Sequence, residues 1–557
     1  MDKVKVGLLI EGYDQPMWVF EMLKKIVADD HSVISLVIIR NQHTDTKKPE
    51  KESFFKKIIK NRYRLAYLVY TRIENYLFKP KPDAFEITDT TEFLKNIKTI
   101  EVEPISTKFS DKFSATDISI IRAEKPDVII RLGFNILRGD ILRAAKCGIW
   151  SFHHGDNMVN RGGPPGYWEV FRQWKETGVV LQVLTEDLDG GFVIDRSYSS
   201  TDCISVNRNK NNYYWKALSM IPRNLRKLHT MGSDNFMEKL RADMQVPQFY
   251  FNRLYITPTN FEVITGLFKI YYKKLTLLIR RIFTFQQWIL LYRIEKKSPA
   301  PSTSFFRYKK LFPPKDRFWA DPFIIFENNL YYVFIEELMY NSNKGHISVF
   351  TISPEGELST PQKIIEENYH LSYPFVFQEQ DDYYMIPESM ENKSIDLYKC
   401  SVFPDKWEKV KVLMNNINAV DPTLFFYNNK YWLFVNVREN EGASEWDELF
   451  LYYADDFKSD AWTSHPQNPI VSDVKKARPA GRIFKQNDQY YRPSQNCSGH
   501  YGRGMTINRI TVLNENEYKE EVVQLIFPRW DKKLISTHTL SFEKNLTVID
   551  GLYLRKK

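Results

Sequence analysis

The chain opens with apolar runs separated by amphipathic stretches. VKVGLLI, from Val4 to Ile10, precedes a helix-period pattern over 15–28 and then SVISLVII from Ser32 to Ile39, the strand–helix–strand order of a parallel α/β sheet. The order resumes with a helix over 115–124 and the strand PDVIIRLGF from Pro126. Residues 205–243 are read as helical, and Phe261 to Glu295 as a long amphipathic segment that mixes Phe268, Ile270, Leu275, Leu278 and Trp288 with Lys269, Lys273, Lys274, Arg280 and Arg281. Such a segment either buries its stripe against neighbouring domains or lies on a membrane surface. Ser298 to Ser304 is the clearest linker.

Beyond the linker the period changes to short aromatic strands, and a repeat appears. ADPFIIFENNLYYVFIEE begins at Ala320, SYPFVFQEQDDYYMIPES at Ser372, VDPTLFFYNNKYWLFVNV at Val420 and ARPAGRIFKQNDQYYRPSQN at Ala477. Pro322, Pro374, Pro422 and Pro479 are 52, 48 and 57 residues apart, and a fifth copy, STHTLSFEKNLTVIDG, follows. Repeats of this length with several strands per copy predict propeller blades, here five.

Composition narrows the function. At 557 residues the chain holds about three folded units, and 43% apolar with 26% charged residues excludes disorder as the main state. A net charge of +9 is small for this length, so nucleic acid is not an expected partner. The 15% aromatic content suits β-rich architecture and carbohydrate contact. Cys147, Cys203, Cys400 and Cys497 form no C-x-x-C pair, so neither a disulfide framework nor a zinc site is expected, no metal is expected, and the compartment is read as reducing. The N-terminal apolar run is too short for a signal peptide and no window suits a membrane span. The expected location is cytoplasmic. Lys47 to Arg62 carries seven basic and two acidic residues, either a solvated insertion or a contact for an anionic surface.

Residues 126–196 carry the chemistry. PDVIIRLGFNIL, Ser151-Phe152-His153, Arg161-Gly162, Thr177-Gly178-Val179 and Leu188 to Gly191 together resemble the formyltransferase family of glycinamide ribonucleotide transformylase and methionyl-tRNA formyltransferase. The 36-residue spacing from His153 to Asp189 matches the family's catalytic pair. The resemblance implies a Rossmann-like α/β domain over 1–204, with a basic helical insertion at about 44–82, that uses 10-formyltetrahydrofolate as formyl donor. It assigns His153, Asp189 and Ser151 to catalysis, and Ile136, Leu137, Glu186, Asp187 and Leu188 to the folate.

Formyl transfer needs a donor for the oxygen that gains negative charge and a group that moves a proton off the attacking amine. His153 suits the first task and Asp189 orients or charges the imidazole. Ser151 replaces the family's asparagine, and the family's Pro-Ser after the histidine is replaced by His154-Gly155-Asp156. Three readings follow: serine substitutes with help from His154 or Asp156, the fold serves another reaction, or it only binds. The expected acceptor is an amino sugar, nucleotide-linked in one version, destined for a surface glycan.

The repeat resembles the five-bladed fold of glycoside hydrolase family 43 and the N-terminal domain of plant glucosamine inositolphosphorylceramide transferases. Equivalent repeat positions hold Glu336, Glu388, Asn436 and Gln495 at one level, and Asp321, Tyr373, Asp421, Arg478 and His538 at another. Asp321, Glu336, Glu388, Asp421, Arg478, Arg492 and His538 are the candidate channel residues. They suit glycan binding, hydrolysis by paired carboxylates, or a scaffold. The expected architecture is multidomain: the α/β domain (1–204), a helical connector (205–300) and an all-β five-bladed propeller (301–557). The function expected is amino-sugar N-formylation; the alternatives are a non-catalytic carbohydrate-binding protein and a propeller glycosidase. Peripheral membrane contact is assigned to 47–82 or 261–296.

Overall fold

The computed structural model describes residues 2–41, 61–244, 249–296 and 300–557. Most of the basic run from Lys47 and the start of the Ser298 linker lie outside these residues. The chain divides into two compact units, Met1–Tyr272 with Asn440–Ala443, and Lys273–Glu439 with Ser444–Lys557.

The first unit is built on a seven-stranded sheet: β1 (Val4–Ile10), β2 (Ser32–Arg40), β3 (Thr99–Val102), β4 (Val128–Arg131), β5 (Ile149–His153), β6 (Glu176–Val183) and β7 (Phe192–Ser200). Their order is β7-β6-β5-β4-β1-β2-β3, with β1 to β5 parallel and β6 and β7 antiparallel. Parallel strands need apolar residues on both faces because helices cover both. Val6, Leu8 and Ile10 accordingly pack with Trp18, Met22 and Ile26 of α1 (Met17–Ala28), while Leu9, Leu36 and Ile38 pack with Ile118 and Ile121 of the helix at Ala115–Ala123.

In the insertion, α2 (Leu65–Leu77) is described. The helical stretch after residue 205 resolves into α3 (Val206–Ala217), α4 (Met220–Met231) and α5 (Ser233–Asp243). Leu218, Leu225, Leu228, Phe236 and Leu240 there join the core of the first sheet, so this stretch packs as part of the first unit. The amphipathic segment from Phe261 is helical only to its middle: α6 spans Asn260–Phe283, and Thr284–Ile294 is a strand. Tertiary pairing decides the switch, because the strand hydrogen-bonds along its whole length to Leu546–Lys556.

Among the described residues the second unit forms five antiparallel sheets. The first holds Arg317–Glu327, Leu330–Met339, Lys344–Ile352 and Gln362–Ile365; the second Ser372–Glu379, Asp382–Glu388, Ser394–Val402 and Lys406–Asn415. The third is built on Ala419–Tyr427, Lys430–Val437 and Glu448–Ala454, and the fourth on Phe484–Gln486, Gln489–Asn496, Gly504–Leu513 and Tyr518–Ile526. The fifth joins Thr284–Ile294 and Lys309–Leu311 to three strands from the far end of the sequence, Leu534–Ser536, Leu540–Glu543 and Leu546–Lys556. The fifth repeat thus completes its sheet with strands that precede the first repeat.

Candidate functional site

Ser151 and His153 lie two residues apart on β5, so their side chains share one face of the sheet. The intervening Phe152 and the following His154 turn the other way, where His154 stacks on Tyr214 with ring centroids 3.8 Å apart and Phe152 packs edge-on against Trp18. Burial, with His153, Lys210 and Arg131 nearby, holds the His154 imidazole well below its ordinary range. His154 is therefore a neutral core residue, and Asp156 is engaged by Arg196 and Tyr198 at 3.4 and 3.2 Å. Neither assists Ser151.

His153 and Asp189 meet as the sequence spacing implies. Nδ1 of His153 is 3.3 Å from Oδ1 of Asp189, and its Nε2 is 2.7 Å from the carbonyl oxygen of Asn160. Burial opposes charge on the 7% exposed imidazole, but the hydrogen bond and charge of Asp189 outweigh it and raise the His153 pKa. Burial likewise opposes charge on Asp189, and His153, Gln182 and Arg161 together lower it. Asp189 sits at φ 51°, a left-handed conformation that a non-glycine residue adopts at a cost, in a loop whose Gly191 passes too close to the Val183 carbonyl to carry a Cβ.

Two residues that the sequence reading missed complete this face. Arg131 of β4, Ser151 of β5 and Gln182 of β6 are direct register neighbours across three strands. Arg131 Nη1 donates to Ser151 Oγ at 3.1 Å and Nη2 donates to the Phe134 carbonyl at 3.0 Å, while its Nε has no partner. Gln182 Nε2 reaches Asp189 Oδ1 at 3.4 Å. Burial lowers the Arg131 pKa against the pull of Asp189, Asp111 and Glu11, as expected of a guanidinium held among carboxylates but partly desolvated. The signal in the sequence was a charged and an amide side chain inside the otherwise apolar runs VIIR and VVLQV.

The segments expected to hold the folate are brought together. The strand Ile136–Arg138 and the loop at Glu186 join through Arg138, which contacts the Glu186 backbone, and through Gly139 N, which donates to Glu186 Oε1 at 2.9 Å. Leu137 is 2% exposed and buried in the core, so it offers only backbone; Leu188 is exposed. A cavity of about 870 Å³ opens at the C-terminal ends of β1, β2 and β4, lined by Glu11, Asp14, Arg40, Asn41, Asp89 and Gly133. Crevices at the carboxyl ends of parallel strands are the usual ligand sites of such sheets.

In the second unit the repeat alignment is matched by strand register. Glu336, Glu388 and Asn436 stand opposite Ala320, Ser372 and Val420, and each ladder then breaks over a bulge before resuming at Phe323, Phe375 and Thr423. The bulges contain Asp321, Tyr373 and Asp421 at φ 51°, 43° and 54°, each directly before a proline. A bulge with a left-handed residue re-aims that side chain out of the strand's alternation. All three are buried, and they tie the sheets to one another.

Asp421 receives Nη2 of Arg478 at 3.1 Å and Nε at 2.5 Å, together with the Gln495 amide at 2.8 Å. The Tyr373 hydroxyl accepts from Gly481 N and bonds the Thr423 hydroxyl, both at 2.8 Å. Thr539 Oγ1 donates to Asp321 at 2.6 Å, and Asp550 receives the backbone amides of Asp321, His538 and Thr539. His538 lies between Asp550 (2.5 Å) and Asp321 (3.6 Å) and stacks on Trp288 at 4.1 Å. Burial disfavours its charge, yet Asp550 and Asp321 hold its pKa up to about 9. Ligand atoms of Asp321, His538 and Asp550 are close enough together to hold a metal ion. A cation there would compete with the charged imidazole, whose Nδ1 faces Asp550 and whose Nε2 faces Asp321.

Arg492 departs from its expected role. Its guanidinium, 1% exposed, is consumed by Glu520 at 2.9 Å and by the carbonyls of Lys476 and Ala477, so it braces the fourth sheet instead of facing a ligand. Glu336 and Glu388 lie nearer solvent-accessible groups: His370, 27% exposed in its side chain, sits 3.3 Å from Glu336. Burial works against its charge, but Glu336, Glu388 and Glu391 lift its pKa to about 9.

The family described as "Glucosamine inositolphosphorylceramide transferase 1, N-terminal" matches residues 309–540. A protein of that name from Oryza sativa subsp. japonica is 35% identical over 211 residues, which cover 37% of this chain and 28% of the rice protein. The aligned stretch is therefore under a third of that relative's length. Methionyl-tRNA formyltransferase of Chlorobium limicola is 34% identical over 84 residues, covering 15% of this chain and 26% of the relative. Among solved structures, the family 117 glycoside hydrolase Zg3597 of Zobellia galactanivorans covers 48% of this chain and 90% of its own, at 11% identity and a TM-score of 0.32. The chain is thus composite, with similarity to two kinds of transferase.

Proposed function

We propose that the first unit transfers a formyl group from 10-formyltetrahydrofolate to the amine of an amino sugar. The observation that carries this reading is the convergence of Ser151, His153 and Asp189 on one face, with Arg131 supplying the donor strength that serine alone lacks. The folate would lie along the backbone of Ile136–Arg138 and the Glu186–Leu188 loop. When bound it supplies an activated formyl carbon. Ser151, polarised by Arg131, donates to the formyl oxygen as it gains charge, in the role of an oxyanion-hole group. The Asp189 carboxylate, oriented by the protonated His153, takes the proton that the amine must lose and returns one to the departing nitrogen. The 870 Å³ cavity, rich in carboxylates, suits an acceptor with an ammonium or several hydroxyls.

Incubating the purified chain with 10-formyltetrahydrofolate and a panel of aminodeoxy sugars and their nucleotides tests this. Tetrahydrofolate release with at least one acceptor is expected. No release across the panel overturns the reading.

For the second unit we infer a five-bladed propeller that contacts glycan and does not hydrolyse it. The favouring observation is that Asp421 is locked by Arg478 and Gln495 while His538 bridges Asp321 and Asp550, which leaves no free carboxylate pair at that level. Glu336, Glu388 and His370 are then the sugar-facing groups. Glycosidase activity lost in both Asp321→Asn and Glu388→Gln would overturn this.

A further inference from the structure

We propose that α6 is a docking surface for an anionic lipid bilayer. No helix among the described residues is long and apolar enough to cross a membrane, so the question is what covers the apolar face of this one. At 100° per residue the helix divides into three sectors. Val263, Gly266 and Ile270 form the inward stripe and are buried. They pack with Tyr167, Trp168 and Phe171, and the contact is so close that a Cβ on Gly266 would lie 2.3 Å from the Phe171 ring.

The opposite arc carries ten large apolar residues, every one exposed, among them Phe261 (75%), Phe268 (70%), Ile282 (64%) and Phe283 (68%). The first half of the helix already buries one stripe and the second half, from Tyr271 on, buries none, so neither half uses this arc for packing. Its exposure therefore marks an interaction surface.

The charges select the occupant. Lys269 and Arg280 fall beyond one border of the apolar arc and Lys274 beyond the other, while Lys273 and Arg281 continue the sector of the inward stripe past its last buried residue. The helix's one acidic residue, Glu262, is bound by Arg253 at 2.8 Å. Long basic side chains at the edges of an apolar face can keep their heads among lipid phosphates while the face enters the acyl boundary. A protein partner would need an acidic-rimmed groove along a 24-residue helix; an anionic bilayer offers both properties everywhere.

A second element adds to the surface. Asn260, at the start of α6, accepts from Ala66 N at 2.9 Å and donates to the Arg62 carbonyl at 2.6 Å, fixing α6 to α2. On α2, Tyr70 and Glu74 are buried, while Leu68, Val69, Ile73, Tyr76 and Leu77 form an exposed half-cylinder that also contains Arg72.

Co-sedimentation of the full chain with phosphatidylcholine vesicles, with and without phosphatidylglycerol, tests the proposal. Binding to the anionic vesicles that weakens with salt is expected. Phe268→Glu/Ile282→Glu should abolish it, and Lys273→Glu/Lys274→Glu should weaken it about ten-fold or more while leaving the far-ultraviolet circular dichroism unchanged. The proposal is overturned if the wild-type chain stays in the supernatant with both vesicle types, or if the variants bind as well as wild type. A concentration-dependent dimer that Phe268→Glu dissolves, in a chain that ignores vesicles, would overturn it in favour of a second copy.

Discussion

Arg131 and Ser151 face each other in register on adjacent parallel strands, with Nη1 3.1 Å from Oγ. The guanidinium polarises a hydroxyl that is 2% exposed and places positive charge beside the His153–Asp189 pair. A serine in place of an amide would otherwise be a weak oxyanion donor.

If the two act as one donor, Arg131→Leu and Ser151→Ala should each lower the formyl-transfer rate by about 100- to 1000-fold. The double variant should be little worse than the poorer single one, because groups that act as a unit lose their effect together. Rate constants from tetrahydrofolate release across the four proteins measure this, and full additivity would separate the two roles.

The His153 cation sets a pH dependence. Its pKa is raised by Asp189, so the charged form persists above the ordinary histidine value, and activity should be flat below that range and fall as pH rises through the raised pKa. Asp189→Asn removes the partner. The alkaline limb should then move to lower pH, with a rate loss of about 100- to 10,000-fold. A pH–rate profile in which the limb stays put would dissociate Asp189 from the titration.

His538 contributes stability with the same sign. Its folded pKa of about 9 lies above the ordinary histidine value, so the contribution is fully present below about pH 6.5 and disappears as pH rises through about 9. The stabilisation lost is of order 3 kcal/mol at most. Thermal melts between those limits should show Tm falling in the wild type and nearly flat in His538→Gln.

Arg492 and Glu520 form a pair whose side chains are 1% and 3% exposed. Arg492→Met strands a buried carboxylate and should cost about 3–5 kcal/mol in denaturant unfolding, whereas Arg492→Met/Glu520→Leu should recover most of it. Loss of glycan binding without loss of stability in the single variant would return Arg492 to the ligand.

Much of the first site was legible because its residues are fixed by chain-local rules. Ser151 and His153 share a face through strand alternation, and Asp189 follows from a recognisable glycine-rich loop. Arg131 and Gln182 were not legible as site residues, since their relation to Ser151 exists only through lateral pairing of β4, β5 and β6. Likewise the repeat aligned Glu336, Glu388 and Asn436 correctly in register, but gave no means to see that Arg492 turns to Glu520.

The sequence by itself determined the α/β grammar and the repeat, because hydrophobic period and turn chemistry are local properties of the chain. Tertiary structure alone decided that Thr284–Ile294 is a strand, since only Leu546–Lys556, more than 250 residues away, satisfies its backbone. It also decided which charges are spent on one another, as in Asp421 with Arg478 and His538 with Asp550. Partners distant in sequence settle those questions through burial and distance, which no local pattern encodes.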